Sequence, residues 1–394
     1  MATLGPYDCL LYTDEDRKFQ EQVRKFVREV IQPEAEKIEK TGEYRRDLLK
    51  KIGEAGYMGV HHPSEYGGSA EGNGCLRETI VAEEISAVAP GLDMSRMASA
   101  TLYGAPVRIF STEEQKKKYL EPIIKGEKIG AIGITEPDVG SDTAGTKTRA
   151  IKTDEGGWLL NGEKRYITNG SQADYICAFA ITDPSVHAKK GMTAFIVDTS
   201  VPEFERIKDY DLMGMRGARV SHFRFNNLFV PDDAVLGRVG QGFEILMEEL
   251  DFERVAIAGE ALGYMHVPYE EALRHSNERV QFGQPIRRFE AVSFKVADMA
   301  MLMSASRLLT TQAANLIDMN QRSTKQASIC KVYATEAAVK VADMAIQILG
   351  GDGYNKDRRV EQFYRDARLM TIGGGTAEIL RFLIQREVYK EHGL

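Results

Sequence analysis

Apolar positions in the first third of the chain recur at helical spacing. Phe19, Val23, Phe26, Val27 and Val30 form one stripe ahead of Pro33, a period that predicts an amphipathic helix. Thr13 and Asp16 stand where a capping box would open it. Thr112 reads as the N-cap of TEEQKKKYLEPIIKGEK, which ends in a Gly-bearing turn. Near Gly130 the period shortens. GGWLLNGEKRYITNG carries two Asn-Gly pairs, Asn161-Gly162 and Asn169-Gly170, beside short β-branched and aromatic runs; such pairs predict hairpin turns. YICAFAITD, GMTAFIVDT and VSHFRFNNLFVPDDAVLG continue the strand pattern. After Gly240 the helical period returns in long blocks, 243–278, 289–318, 325–349 and 376–389, with alanine-rich faces that suggest a bundle. The order predicts an α+β, mainly helical chain of three parts: an N-terminal helical domain (1–126), a middle β-domain (127–237) and a C-terminal helical bundle (238–394).

Composition narrows the classes of function. The 394 residues are 43% hydrophobic and 28% charged, an ordinary globular balance with length for two or three domains. A net charge of −7 gives no field favouring nucleic acid or an anionic membrane. No apolar run reaches membrane-spanning length, and the first residues lack the basic and apolar regions of a secretion signal. Cys9, Cys75, Cys177 and Cys330 lie far apart, and no Cys/His cluster has metal-ligand spacing; disulfide frameworks and zinc sites are not expected, and a reducing cytoplasm is.

Chemistry enters with the motifs. RLMTIGGGTAEILR places three glycines before an amphipathic run, a turn-to-helix junction with unpaired N–H groups that suit an anion. Alone it is equally a helix stop. With ITEPDVGSD (134–142), LNGEKRYITNG (160–170), MGMRG (213–217), ERVQFGQPI (278–286), QILGGDGY (347–354) and RDARLMTIGGGT (365–376) in this order, the chain resembles the acyl-CoA dehydrogenase family over nearly its full length. The resemblance implies FAD as cofactor, an acyl-CoA thioester oxidised at Cα–Cβ, an electron-transfer flavoprotein as partner, a C-terminal four-helix bundle and a homotetramer.

It also implies roles. Ile132, Ile134, Thr135 and Ser141 would meet the flavin or its pyrophosphate, and Ser141 also the substrate. Tyr166 would stand against the isoalloxazine and Thr168 near N5. Arg279, Gln281, Phe282, Gln347 and Gly351 would reach a neighbouring subunit's FAD, with Thr376 and Glu378 completing the site. In many family members the loop reads IYEGT and its Glu is the base. Here Gly374 takes that place, keeping a main-chain N–H for the thioester oxygen and opening volume near Cα; Gly375 would join in binding substrate. A minority resembling isovaleryl-CoA dehydrogenase carries the base on a bundle helix in an LDxER pattern. This chain has Leu250-Asp251-Phe252-Glu253-Arg254, with Asp251 and Arg254 at positions that hold CoA.

The residues themselves support Glu253. Leu246, Leu250, Glu253 and Ile257 share one helix face, and a carboxylate interrupting an apolar stripe is costly unless paired or used. Asp93, in APGLDMSRMAS, is a second candidate acid. It is expected near the acyl pocket, repelling a dicarboxylate, or acting as base on an alicyclic ring. Otherwise it is a helix-start residue facing solvent. The expected activity is dehydrogenation of a short, branched or alicyclic acyl-CoA. Two other readings are an oxidase on the same fold and a scaffold that lost its base at Gly374.

Overall fold

The computed structural model describes residues 9, 11–70 and 72–394. Helix α1 (Asp14–Phe26) opens with the Thr13/Asp16 capping box, Thr13 Oγ1 accepting from the Asp16 amide at 3.1 Å. A single π turn (Val27–Ile31) leads into α2 (Gln32–Thr41), and α3 (Arg46–Glu54) follows. Two buried helices, α4 (Gly74–Ser86) and α5 (Pro90–Met97), precede α6 (Gly104–Phe110). Thr112 caps the next turn as expected, accepting from the Gln115 amide.

Eight strands come next: β1 (Gly130–Gly133), β2 (Arg149–Lys152), β3 (Trp158–Thr168), β4 (Tyr175–Ile181), β5 (Met192–Asp198), β6 (Phe204–Asp209), β7 (Val220–Val230) and β8 (Val235–Leu236). Their order is β6-β7-β3-β2-β4-β5-β8, with β1 parallel to the start of β4. Trp158, Phe195, Phe204, Phe223 and Phe225 fill the interior.

The Asn-Gly expectations need correcting. Asn161-Gly162 makes no hairpin; it lies inside β3, opposite a bulge in β7 where Asn227 takes φ +50°. Asn161 and Asn227 bond side chain to side chain and side chain to backbone across it. Glycine is needed at 162 for close approach, because a Cβ there would lie 2.5 Å from Thr148 Oγ1. Asn169-Gly170 does turn the chain, but β3 and β4 are not neighbours in the sheet.

The C-terminal helices are α7 (Gly242–Tyr264), α8 (His266–Glu278), α9 (Glu290–Asp318), α10 (Thr324–Leu349), α11 (Val360–Met370) and α12 (Ala377–Glu391). The block expected to run from 243 to 278 breaks at Met265. Pro268 explains the break: it has no N–H to donate to the Tyr264 carbonyl. Helix α4 packs along α7, so N-terminal and C-terminal helices share one large core. Among the described residues no helix is long and apolar enough to cross a membrane.

Candidate active site

Leu246, Glu253 and Ile257 of α7 are buried and Leu250 half-buried, so the stripe faces inward and carries a carboxylate with it. Glu253 is 6% exposed and accepts no hydrogen bond among the described residues. Burial pushes its carboxyl above the usual range, against the pull of Arg254 and Lys331.

The glycine loop lies directly across from it. Gly374 has φ +65°, and a Cβ built there would sit 3.4 Å from Glu253 Oε1 and 2.3 Å from Ile257 Cδ1. The expectation that Gly374 opens volume is therefore corrected: Ile257 and Glu253 already fill that space. The loop is held by Ile372 and Gly373 amides on the Leu369 carbonyl and by the Ala377 amide on Thr371. The amides of Gly374, Gly375 and Thr376 find no acceptor among the described residues. Thr376 caps α12 through its hydroxyl, and Glu378 is exposed in the first turn.

Lys331 had no place in the sequence reading. Its Nζ donates to the Gly375 carbonyl at 2.8 Å from a wholly buried position on α10. The signal was available: Lys331 stands between Ala327 and Thr335 at four-residue spacing, a lone cation in a stripe of small buried residues. Next to Glu253, Arg254 is buried and bonds Asp251 at 2.8 Å; Asp251 in turn accepts from Thr324 Oγ1 at 2.6 Å. Arg254 Nε has no partner among the described residues.

Asp93 does not face solvent as the alternative reading had it; it is wholly buried on α5 and paired there. Arg96 Nε donates to its Oδ1 at 2.5 Å, and the same guanidinium grips Glu78 at 2.8 and 3.1 Å. Burial pushes Asp93 up to about 6 despite Arg96. Glu260, two turns along α7 from Glu253, faces it and is driven far above its ordinary value by burial and by Asp93.

The β-domain presents a second group. Ile132 on β1 is buried and Ile134 half-buried. Lys164 of the NGEK stretch is wholly buried and donates to Glu136 Oε1 at 2.8 Å and to the Ile134 carbonyl at 3.2 Å. Glu136 also accepts from the Lys147 and Thr148 amides. Two motifs far apart in sequence are thus clamped by one ion pair, which aims the Thr135–Ser141 turn. One residue later β3 bulges, and Tyr166 takes φ +57°. The bulge turns the Tyr166 ring outward, half exposed, with Tyr210 at 4.6 Å and the Arg165 guanidinium at 4.3 Å. The hydroxyls of Thr135, Ser141 and Thr168 have no partner among the described residues. An outward aromatic face beside open hydroxyls fits a flat flavin with a pyrophosphate tail.

Arg279, Gln281 and Phe282 lie on a hairpin, β9 (Val280–Gln281) and β10 (Gln284–Pro285), at the far end of α8. Phe282 is 93% exposed. The charges of Arg279 and of Asp352, the latter next to the Gln347–Gly351 turn, both act on His275. No hydrogen bond or ion pair of the described residues links the hairpin to Thr135, Ser141 or Tyr166 within the chain.

Models of three domains match in sequence: acyl-CoA dehydrogenase N-terminal domain over residues 13–127, middle domain over 131–228 and C-terminal domain over 240–389. The mitochondrial isovaleryl-CoA dehydrogenase of Solanum tuberosum is 40% identical, covering 97% of this chain and 92% of its own. Butyryl-CoA dehydrogenase from Megasphaera elsdenii superposes with a TM-score of 0.92 at 35% identity over 96% and 99% of the two chains. A chain in the structure of the electron-transferring flavoprotein of Acidaminococcus fermentans gives 0.92 and 35% over 97% and 99%. The chain belongs to the acyl-CoA dehydrogenase family, FAD-binding oxidoreductases acting on the CH–CH group of acyl-CoA thioesters.

Proposed function

We propose that the chain dehydrogenates a short or branched acyl-CoA with Glu253 as the α-proton base. One observation carries this reading: a carboxylate buried without a donor among the described residues lies against a loop with three amides that find no acceptor among them. In the proposed pose the thioester oxygen accepts from the Gly374 amide, which stabilises the enolate as the α-proton leaves. Glu253, raised by burial, takes that proton, and the C–H electron pair enters the Cα–Cβ bond. Two carboxylates facing one Cα would repel, and one would be held protonated; a loop residue without a side chain avoids the conflict. Arg254, half-used by Asp251, and Ser141 are assigned to the CoA moiety. FAD, when bound, supplies the hydride acceptor for Cβ. Ile132, Ile134, Thr135, Tyr166 and Thr168 hold it from one chain. Arg279, Gln281, Phe282, Gln347 and Gly351 serve the cofactor of a second copy in a homotetramer, as their separate position suggests.

The named relatives support a short or branched acyl group and an electron-transfer flavoprotein as electron acceptor; the four free, buried cysteines support a reducing compartment such as the cytoplasm. Glu253→Gln is the test. It should retain FAD and acyl-CoA and slow anaerobic bleaching of the flavin by at least about a thousandfold, since an amide is no base. Near-normal bleaching would overturn the assignment, and Asp93→Asn would then be examined with a cyclic acyl-CoA.

A further inference from the structure

Lys331 joins the two halves of this site. It is wholly buried on α10, its Nζ 2.8 Å from the Gly375 carbonyl, and its charge acts on Glu253 across the loop. An ammonium so placed has one neutral hydrogen-bond acceptor and the more distant charges of two carboxylates to compensate its burial, with no bidentate partner among the described residues to lock it. Three charged groups act on it: Glu253 and Arg254 from α7, and Glu378 from α12.

Resting on Glu253 as base, we propose that Lys331 is a positioning residue for α-proton removal, tying the Gly375 carbonyl so that the adjacent Gly374 amide faces the thioester, and keeping Glu253 ionised. Both effects follow from one location. The Gly375 carbonyl is two peptide units beyond the Gly374 amide, and both glycines have positive φ. Glycine permits many backbone states, so between the bonds that hold the two ends of the loop the Lys331 tether is what fixes the aim of its amide. The cation also opposes the burial that favours protonated Glu253. Burial lowers Lys331 itself to about 8, against the pull of Glu253. The loss of its charge therefore falls within the working range of pH.

The experiment measures deuterium uptake at Cα of a bound acyl-CoA from D2O, alongside anaerobic flavin bleaching, between pH 5 and 10. Wild type, Lys331→Met, Lys331→Arg and Glu253→Gln are compared after each is shown to hold FAD and melt cooperatively. In Lys331→Met the acid limb should move up by about one pH unit or more, with uptake on the acid side of that limb falling at least about tenfold. Lys331→Arg, which stays charged, should keep the acid limb and lose the alkaline fall near pH 8. Should Lys331→Met not fold, Lys331→Arg still decides through the alkaline limb. An unshifted acid limb in Lys331→Met, or an alkaline fall retained in Lys331→Arg, overturns the role of Lys331 while leaving Glu253 in place. Near-normal uptake in Glu253→Gln overturns the base itself.

Discussion

Glu83 on α4 and Glu253 on α7 are both buried acids on helices that pack together, yet their surroundings differ in kind. Glu83 receives both Arg307 terminal nitrogens, one at 2.7 Å, and the His266 ring at 2.6 Å. Burial pushes it up, but Arg307 and His266 more than offset this and hold it at about 2. Glu253 has charges nearby and, among the described residues, no donor in contact, and burial wins. The same residue type is a fixed strut in one place and a proton acceptor in the other. What separates them is hydrogen-bond satisfaction, because burial is similar.

The largest stability effect should come from breaking the strut. Arg307→Met leaves Glu83 with His266 alone and should cost about 3–5 kcal/mol, the usual loss when one partner of a buried pair is removed. Urea unfolding measures it. A loss no greater than that of Glu253→Gln would erase the contrast between the two acids.

A third buried acid sharpens the comparison through pH. Asp366 on α11 accepts from the Met215 amide at 2.5 Å, tying the MGMRG loop to the RDARLM helix. Burial nevertheless pushes it up to about 7. Between its unfolded value of about 3.9 and that folded value, the unfolded chain has released a proton that the folded chain keeps. Stability then falls as pH rises through this window, the reverse of Glu83, whose stabilising contribution is lost as pH falls toward 2. Asp366→Asn keeps an acceptor for Met215 and should remove about 2–4 kcal/mol of that fall. Melting temperatures at pH 5 and pH 8 should lie closer together in the variant than in wild type. An unchanged gap would reject the assignment.

How far the sequence revealed this site depended on the kind of interaction. Helices, the β insertion and the inward face of Glu253 were visible because periodicity reports burial directly. The Asn161-Gly162 bulge was misread because a bulge opposite and a close strand use the same residues as a turn. Lys164, Lys331, Glu260 and the Glu78 partner of Arg96 were not seen, since each depends on a residue brought near only by tertiary packing, whereas Asp93 and Arg96 stand three residues apart on one helix. The expected room at Gly374 failed likewise: Ile257 was known to share a face with Glu253, but not to reach the loop.

The smallest effect tests that last contact. Gly374→Ala keeps the main-chain N–H and adds one methyl at φ +65°, where an L-residue costs about 1–2 kcal/mol. The added Cβ would lie 2.3 Å from Ile257 Cδ1, the mobile end of a side chain, and at ordinary contact from Glu253 Oε1. Ile257 must therefore turn away, while Glu253 need not move. Ile257→Val removes the carbon in question at a cost of about 0.5–1.5 kcal/mol by itself. In the double variant the clash is gone, so the combined loss should be smaller than the sum of the single losses, by about 0.5 kcal/mol or more. Flavin bleaching in Gly374→Ala should fall less than about tenfold, since both base and amide remain. Strict additivity of the two stability losses would show that Ile257 does not fill the space beside the loop. The glycine would then be kept for its backbone angle alone.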